Sequence, residues 1–381
     1  MIYLIGAAIE TSAQNTYAQI LVGRLLTGLG VGATSGLVPV IQAEQCPPRY
    51  RGLVTGSFQW AVTMGIWGVS MCSWQMQMRS GDVSWRITTS LQMVWAALLL
   101  VVFFLSPESP RFLGKIGKWD EAKKNLCNLR GLPADSEEIT VSTTFSRIDA
   151  QRLILQKEMV EVEEAVNADH EMGQVSYAEC FSPKDRILYR TMIGIFVQIG
   201  QQITGINFFF SYGVQFAETA GLDDTYIFQI IITSVNVIMS VPGLIAVDRL
   251  GRRPVLLGGA AIMFVGQIIT GAVSVARPGD ADAGKVLIAF SCLFVAGFAS
   301  TWGPVAWVVC AESFPTRLSG LCATLGAGAN WLFNLIIAFA APQIQARIGS
   351  SITFVWAGCL LVNFVFAFLC VPETKGLSIE E

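Results

Sequence analysis

A chain of 381 residues that is 53% hydrophobic and 14% charged, with a mean hydropathy of +0.54, cannot expose all its surface to water; soluble domains carry about 25% charge. Of its 25 basic and 28 acidic residues, 12 and 15 fall between Ser106 and Arg190, so half the charge is packed into one stretch. A soluble enzyme, a disulfide-stapled secreted domain and a nucleic-acid binder are excluded; an all-α polytopic membrane protein with one large polar loop is expected.

Met1 to Ile9 is apolar but, at about 1.5 Å per residue, covers less than half of a ~30 Å hydrocarbon core. It reads as the tail of a helix, without the basic n-region or cleavage site of a signal peptide. Three windows of spanning length follow at 17–41, 53–74 and 85–105. The first carries Gly28, Gly32 and Gly36 on one face, a small-residue stripe that predicts close helix packing rather than phosphate binding. It also carries Arg24, the one charge expected inside a span, which is either a coupling residue or one that snorkels to the outer interface. The polar stretch 106–190 contains amphipathic segments at 111–129 and 147–166, which on their own admit a solvated linker. Six further spans are predicted at 191–216, 226–247, 254–276, 286–310, 318–341 and 350–371. No Asp or Glu is expected at mid-depth of any span. His170 is the only histidine and the nine cysteines show no C-x-x-C spacing, so neither a metal nor another cofactor is expected, and no catalytic residue.

Basic residues orient the chain. With 106–190 placed in the cytoplasm, 19 Lys/Arg lie on that side and 5 on the other. The motif Glu44-x-x-Pro47-x-Arg49-x-x-Gly52 recurs as Glu312-x-x-Pro315-x-Arg317-x-x-Gly320, and Pro107-Glu108-Ser109 as Pro372-Glu373-Thr374. These repeats divide the chain into two parallel halves. The expected organisation is a partial bundle at 1–105 (a helix stub and three spans), a cytoplasmic linker at 106–190, a six-helix bundle at 191–371 and a cytoplasmic tail at 372–381. Because the second half has six spans and the first has three and a stub, an N-terminal truncation of about two and a half helices is expected.

The spans are populated by neutral amides: Gln59, Gln201, Gln202, Asn207, Asn236, Asn330 and Asn334, with Trp307 and Trp331 beside them. An amide both donates and accepts, which suits a hydroxyl that also does both, and an indole face suits the C–H face of a pyranose. Such a set fits a neutral polyol and argues against carboxylate, phosphate or cation cargo. The bland alternative is amides that only hold helices together.

Seven motifs in order now carry a resemblance: Gly23-Arg24 with Gly28, Gly30 and Gly32; Glu44 to Gly52; Pro107-Glu-Ser-Pro-Arg111; Gln201-Gln-Ile-Thr-Gly-Ile-Asn207; Asp248-Arg-Leu-Gly-Arg-Arg253; Gly303-Pro-x-x-Trp307 with Glu312-x-Phe-Pro; and Pro372-Glu-Thr-Lys-Gly376. Along its whole length the chain resembles the sugar porters of the major facilitator superfamily, fungal hexose transporters in particular. The resemblance implies that Gln59, Gln201, Gln202, Asn207, Asn236, Trp307, Asn330, Trp331 and Asn334 bind sugar, that Gly303 and Pro304 form a hinge, and that 106–190 forms short cytoplasmic helices under the bundle. It also implies a cytoplasmic latch of Glu44, Arg51, Glu108, Arg111, Asp248, Arg249, Arg252, Arg253, Glu312, Arg317 and Glu373 that ties the bundles together and releases on inward opening; topology alone is the simpler use of those charges. Ala299 stands where mammalian members carry a glutamate. The expected function is alternating-access transport of a neutral monosaccharide such as a hexose, by uniport or proton symport, in the plasma membrane. The expected partners are sugar, the bilayer and protons for symport, with no nucleic acid and no obligate protein. The rivals are a sugar sensor, disfavoured by the short tail ending at Glu381, and a non-functional transporter fragment.

Overall fold

Within hydrocarbon every backbone N–H and C=O has to be satisfied inside the protein, and a helix does this within one segment. The computed structural model describes residues 1–14, 17–46, 51–78, 82–129, 157–160, 162–164, 166–167, 176–222, 224–277, 280–313 and 318–373, and among them there are helices and no strands. The first group comprises α1 (Ile2–Thr11), α2 (Tyr17–Gln45), α3 (Arg51–Met76) and α4 (Asp82–Leu105). Two short helices, α5 (Pro110–Lys115) and α6 (Trp119–Leu129), follow. The second group comprises α7 (Ile187–Ile203), α8 (Ile206–Thr219), α9 (Thr225–Leu250), α10 (Arg252–Ala276), α11 (Ala281–Ser300), α12 (Trp302–Glu312), α13 (Ser319–Ile348) and α14 (Ile352–Cys370).

All nine expected windows fall on helices, and the N-terminal stub is α1. By length and apolarity seven stretches of the described residues can cross a membrane. The last, Gly320–Cys370, holds two helices parted by a turn at Gly349–Ser351, and α3 is as long as its neighbours but more polar. Two spans are broken: α7 passes into α8 through Thr204 and Gly205, and α11 into α12 through Thr301.

The second group owns the larger core. Phe208, Phe209, Phe216 and Phe294 stack edge-on or tilted, with centroids 5.2–5.8 Å apart. Trp302 is fully buried and donates its indole N–H to Leu256 O at 2.9 Å, pinning the start of α12 to α10. In the first group α1 lies closely against α2, but not along the expected stripe. A Cβ built on Gly6 would stand 2.7 Å from Thr27 N, one on Gly23 2.9 Å from Glu10 Cβ, and one on Gly30 2.7 Å from Tyr3 Cβ. Around Gly28, Gly32 and Gly36 there is open space among the described residues. The close helix approach is therefore made by the glycines on the neighbouring face, spaced seven apart, and the expectation for the other three is corrected.

The two groups meet through α3 against α9 and α12, and through α2 against α13. Trp67 donates to Ser234 Oγ and Trp331 to Ser35 Oγ, each at 2.9 Å. The segment expected at 111–129 is helical but splits at Gly117, whose φ of +78° ends α5. Parts of 157–167 are helical as well, and Val166 packs toward Gly114; residues 147–156 of the second expected segment lie outside the described residues.

Candidate functional site

The two helix breaks free backbone groups beside one another, and buried amides gather there. Gln201 donates to the carbonyls of Trp302 at 3.3 Å and Gly303 at 2.7 Å, tying α7 to the first turn of α12 just past the interruption at Thr301. Pro304 sits in the first turn of α12, where a missing N–H costs nothing. The helix is interrupted slightly before the residues expected to form a hinge, Gly303 and Pro304, at Thr301 (φ −133°, ψ −88°). On the opposite span Thr204 Oγ1 donates to Gln201 O at 2.8 Å, and Gly205 takes φ +89°.

Asn330 on α13 is the hub. It donates to Gln198 Oε1 at 2.7 Å and Gln201 Oε1 at 2.8 Å, and accepts from Gln202 Nε2 at 2.6 Å. Gln202 Oε1 in turn accepts from Asn207 and, at 3.5 Å, from Asn334. Five of the nine residues expected to bind sugar thus form one hydrogen-bonded set. Gln198 completes it and is absent from that expectation, although it lies three and four residues before Gln201 and Gln202, on the same helical face. A carbonyl of the same turn, Gly200 O, accepts from Asn363 on α14 at 2.8 Å.

The other four are placed differently. Asn236 on α9 is buried with neither amide atom hydrogen-bonded, and the buried Trp307 Nε1 and Gln198 Nε2 are also without partners. Buried amides in this condition are costly unless something else pairs with them. Trp307 stands edge-on to Phe58 of α3, with centroids 5.5 Å apart. Trp331 is 41% exposed and spends its N–H on Ser35. Gln59 is half-buried on α3, one residue from Phe58.

Of the latch residues, the side chains of Glu44, Arg51, Asp248 and Glu312, and all of Arg317, lie outside the described residues. The geometry that is present is compact. Glu373 accepts from the backbone N–H of Arg252 at 3.0 Å and of Arg253 at 3.1 Å. Its carboxylate therefore caps the N-terminus of α10, where the helix dipole favours negative charge. Arg252 is buried and donates to Val247 O at 3.2 Å, while Arg253 lies 5.5 Å from the Phe368 ring and donates to Phe368 O. These contacts stay within the second group of helices. On the other half, Glu108 and Arg111 flank the start of α5, with the Glu108 carbonyl accepting from Asn125 at 3.1 Å. Arg249 is exposed at the end of α9.

Gly251, with φ +92°, makes the turn before Arg252, and a Cβ there would lie 2.7 Å from Glu373 Oε2. Gly251→Ala is expected to strain the turn and push the carboxylate off its cap, costing about 2–3 kcal/mol. A lowered melting temperature in detergent checks this, and Glu373→Gln should reproduce only part of the loss.

A model of the family "Sugar (and other) transporter" matches residues 1–381. The chain belongs to that family. It is 36% identical to the "High glucose sensor RGT2", 34% to the "Galactose transporter" and 33% to the "Hexose transporter HXT10", all of Saccharomyces cerevisiae. Each alignment covers the whole chain but only 49%, 65% and 68% of the relative, so the chain spans about half to two thirds of their length. Among solved structures it resembles a double-tryptophan variant of XylE and the proton:xylose symporter XylE bound to 6-bromo-6-deoxy-D-glucose. The TM-scores are 0.79 and 0.78, at 23% identity, over all of this chain and 80% of each structure. The fold is that of the major facilitator superfamily.

Proposed function

We propose that the chain carries a neutral monosaccharide, a hexose, across the plasma membrane by alternating access. The carrying observation is the buried amide set around Asn330, whose hydrogen-bonded members are neutral amides, together with the unpaired buried amide of Asn236 and N–H of Trp307. Gln59, Gln201, Gln202, Asn207, Asn236, Asn330 and Asn334 supply donors and acceptors to sugar hydroxyls, and Trp307 and Trp331 supply apolar faces. The breaks at Thr204–Gly205 and Thr301 let half-helices tilt without disturbing the rest of their spans. The residues at the Gly251 end work as the latch, on the cytoplasmic side with the tail 372–381. Residues 1–105 and 191–371 form the two bundles, joined by the cytoplasmic linker 106–190.

The 36% identity to a glucose sensor favours a second reading in which sugar binds at the same site and is not carried. Radiolabelled glucose binding and uptake, in yeast lacking its own hexose transporters, separate the two. Saturable uptake that Gln202→Ala and Asn207→Ala cut about tenfold or more supports transport. Saturable binding without uptake supports the sensor, and wild-type kinetics in both variants would remove the site.

A further inference from the structure

Four of the nine cysteines are buried, and three of them, Cys180, Cys310 and Cys322, gather in one cluster with Leu318. They come from three elements: a five-residue 3-10 helix near the end of the linker (Tyr177–Phe181), the last turn of α12 and the first turn of α13. The Cys322 thiol faces Thr191 Oγ1 of α7 at 3.6 Å and also the Cys180 thiol. Cys310 has other surroundings: the Cβ position of Gly326 lies 2.7 Å from its Sγ and 3.6 Å from Gln198 Cγ. The cluster thus borders Gln198 of the amide set. Asn330 follows Cys322 by eight residues on α13, about 12 Å along the helix.

A single buried thiol is a small apolar filler. Two that face one another from separate elements can also be joined once an oxidant reaches them. The element bearing Cys180 is where the cluster opens most readily. It closes on a capping box in which Ala178 N donates to Ser176 Oγ and Ser176 N to Glu179 Oε1, each at 3.3 Å. Tyr177 and Phe181 at its two ends are exposed, whereas Cys180 is fully covered where the helix rests on α7 and α13. An element this short lifts off at far lower cost than the spans beneath it. Lifting bares Cys180 to a small neutral peroxide, while Cys322 stays anchored on α13.

We propose that Cys180 and Cys322 are a peroxide-responsive thiol pair, whose disulfide staples the linker to α13 and arrests sugar carriage. In the first step the Cys180 thiolate attacks hydrogen peroxide. An S–O bond forms, the O–O bond breaks, and the departing hydroxide takes the thiol's proton as water, leaving a sulfenic acid. In the second step the helix settles back and the Cys322 thiolate attacks that sulfur. The S–S bond forms and the S–O bond breaks with release of a second water. Two thiols are oxidised and one peroxide is reduced to two waters. In a reducing cytosol the pair rests as thiols and returns to them by exchange with a small thiol. The staple draws Cys322 from Thr191 and ties the inner end of α13 to the linker, so the helix bearing Asn330 and Asn334 no longer shifts against it. The arrest rests on the transport reading above, with the linker in the cytoplasm.

The test exposes the full chain in transport-null yeast to hydrogen peroxide, measures glucose uptake, and maps peptides of the purified protein without reduction. The wild type is expected to lose most of its uptake, to regain it after dithiothreitol, and to yield peptides joined through Cys180 and Cys322. C180S and C322S should each keep their uptake under peroxide, and C310S should still lose it. Peptide mapping of the wild type decides the pairing even if a serine variant folds poorly. Absence of the joined peptides, a bond to Cys310 in their place, or loss of uptake in C180S equal to that of wild type overturns the proposal. Full uptake by protein that carries the disulfide does so as well. A wild type that neither takes up nor binds glucose before oxidant is added overturns the transport reading instead, and the joined peptides then stand or fall by themselves.

Discussion

Asn330→Leu is expected to abolish sugar binding and to lower the stability of the second group of helices by about 2–4 kcal/mol. Leucine keeps the branching and the number of side-chain heavy atoms and is the larger residue, so the cost is not a cavity. It arises because Gln202 Nε2 and the Oε1 atoms of Gln198 and Gln201, all on buried side chains, lose partners at 2.6–2.8 Å. Asn330→Asp tests the same point from the other side. A carboxylate cannot donate to the two glutamine oxygens and would stand opposite both of them, so it should be no milder. The measurement is a melting curve in detergent with and without glucose. Both variants should melt lower and lose the ligand-induced rise, and a wild-type curve for Asn330→Leu would show that the network carries no stability.

Gly205→Ala is expected to be at least as severe, at about 3 kcal/mol or more, and to act through the backbone. The φ of +89° disfavours any residue with a Cβ. That Cβ would also lie 2.5 Å from Cγ of Trp356, a ring buried between α14 and Phe208, which has nowhere to go without repacking the core. The yield of monodisperse protein on size-exclusion chromatography should collapse. Gly28→Ala, at a helical position with open space around it, should leave that yield intact or slightly improved. Equal behaviour of the two variants would refute the argument.

The spans were legible because twenty apolar residues with few charges admit one solution in a bilayer, and every expected window is helical. The amide set was legible in part, from residue chemistry and the seven motifs. Gln198 lies outside the motif that begins at Gln201, although helical spacing alone sets it beside Gln201 and Gln202. Glu10 follows immediately on the apolar stub, and only the packing of α1 on α2 shows that it is buried and paired with Arg24 at 2.8 Å. The stripe of Gly28, Gly32 and Gly36 misled because periodicity marks a face of a helix without saying which helix covers it; Gly23 and Gly30, on the neighbouring face, make the contact. The position of the helix interruption at Thr301 could not be read from Gly303 and Pro304, since a proline in the first turn of a helix follows a break instead of marking its centre.

The cap on α10 has a consequence for biosynthesis. The N–H groups of Arg252 and Arg253 receive their acceptor from Glu373, 121 and 120 residues further along the chain. At about 5–20 residues per second of synthesis, the start of α10 emerges some 6–24 s before its partner exists. A transcript interrupted just ahead of codon 373 would encode every span of the second group and still leave that helix end open. For this reason the short stretch after the last span belongs to the folding unit, and a tag or truncation placed there should be judged by its effect on α10.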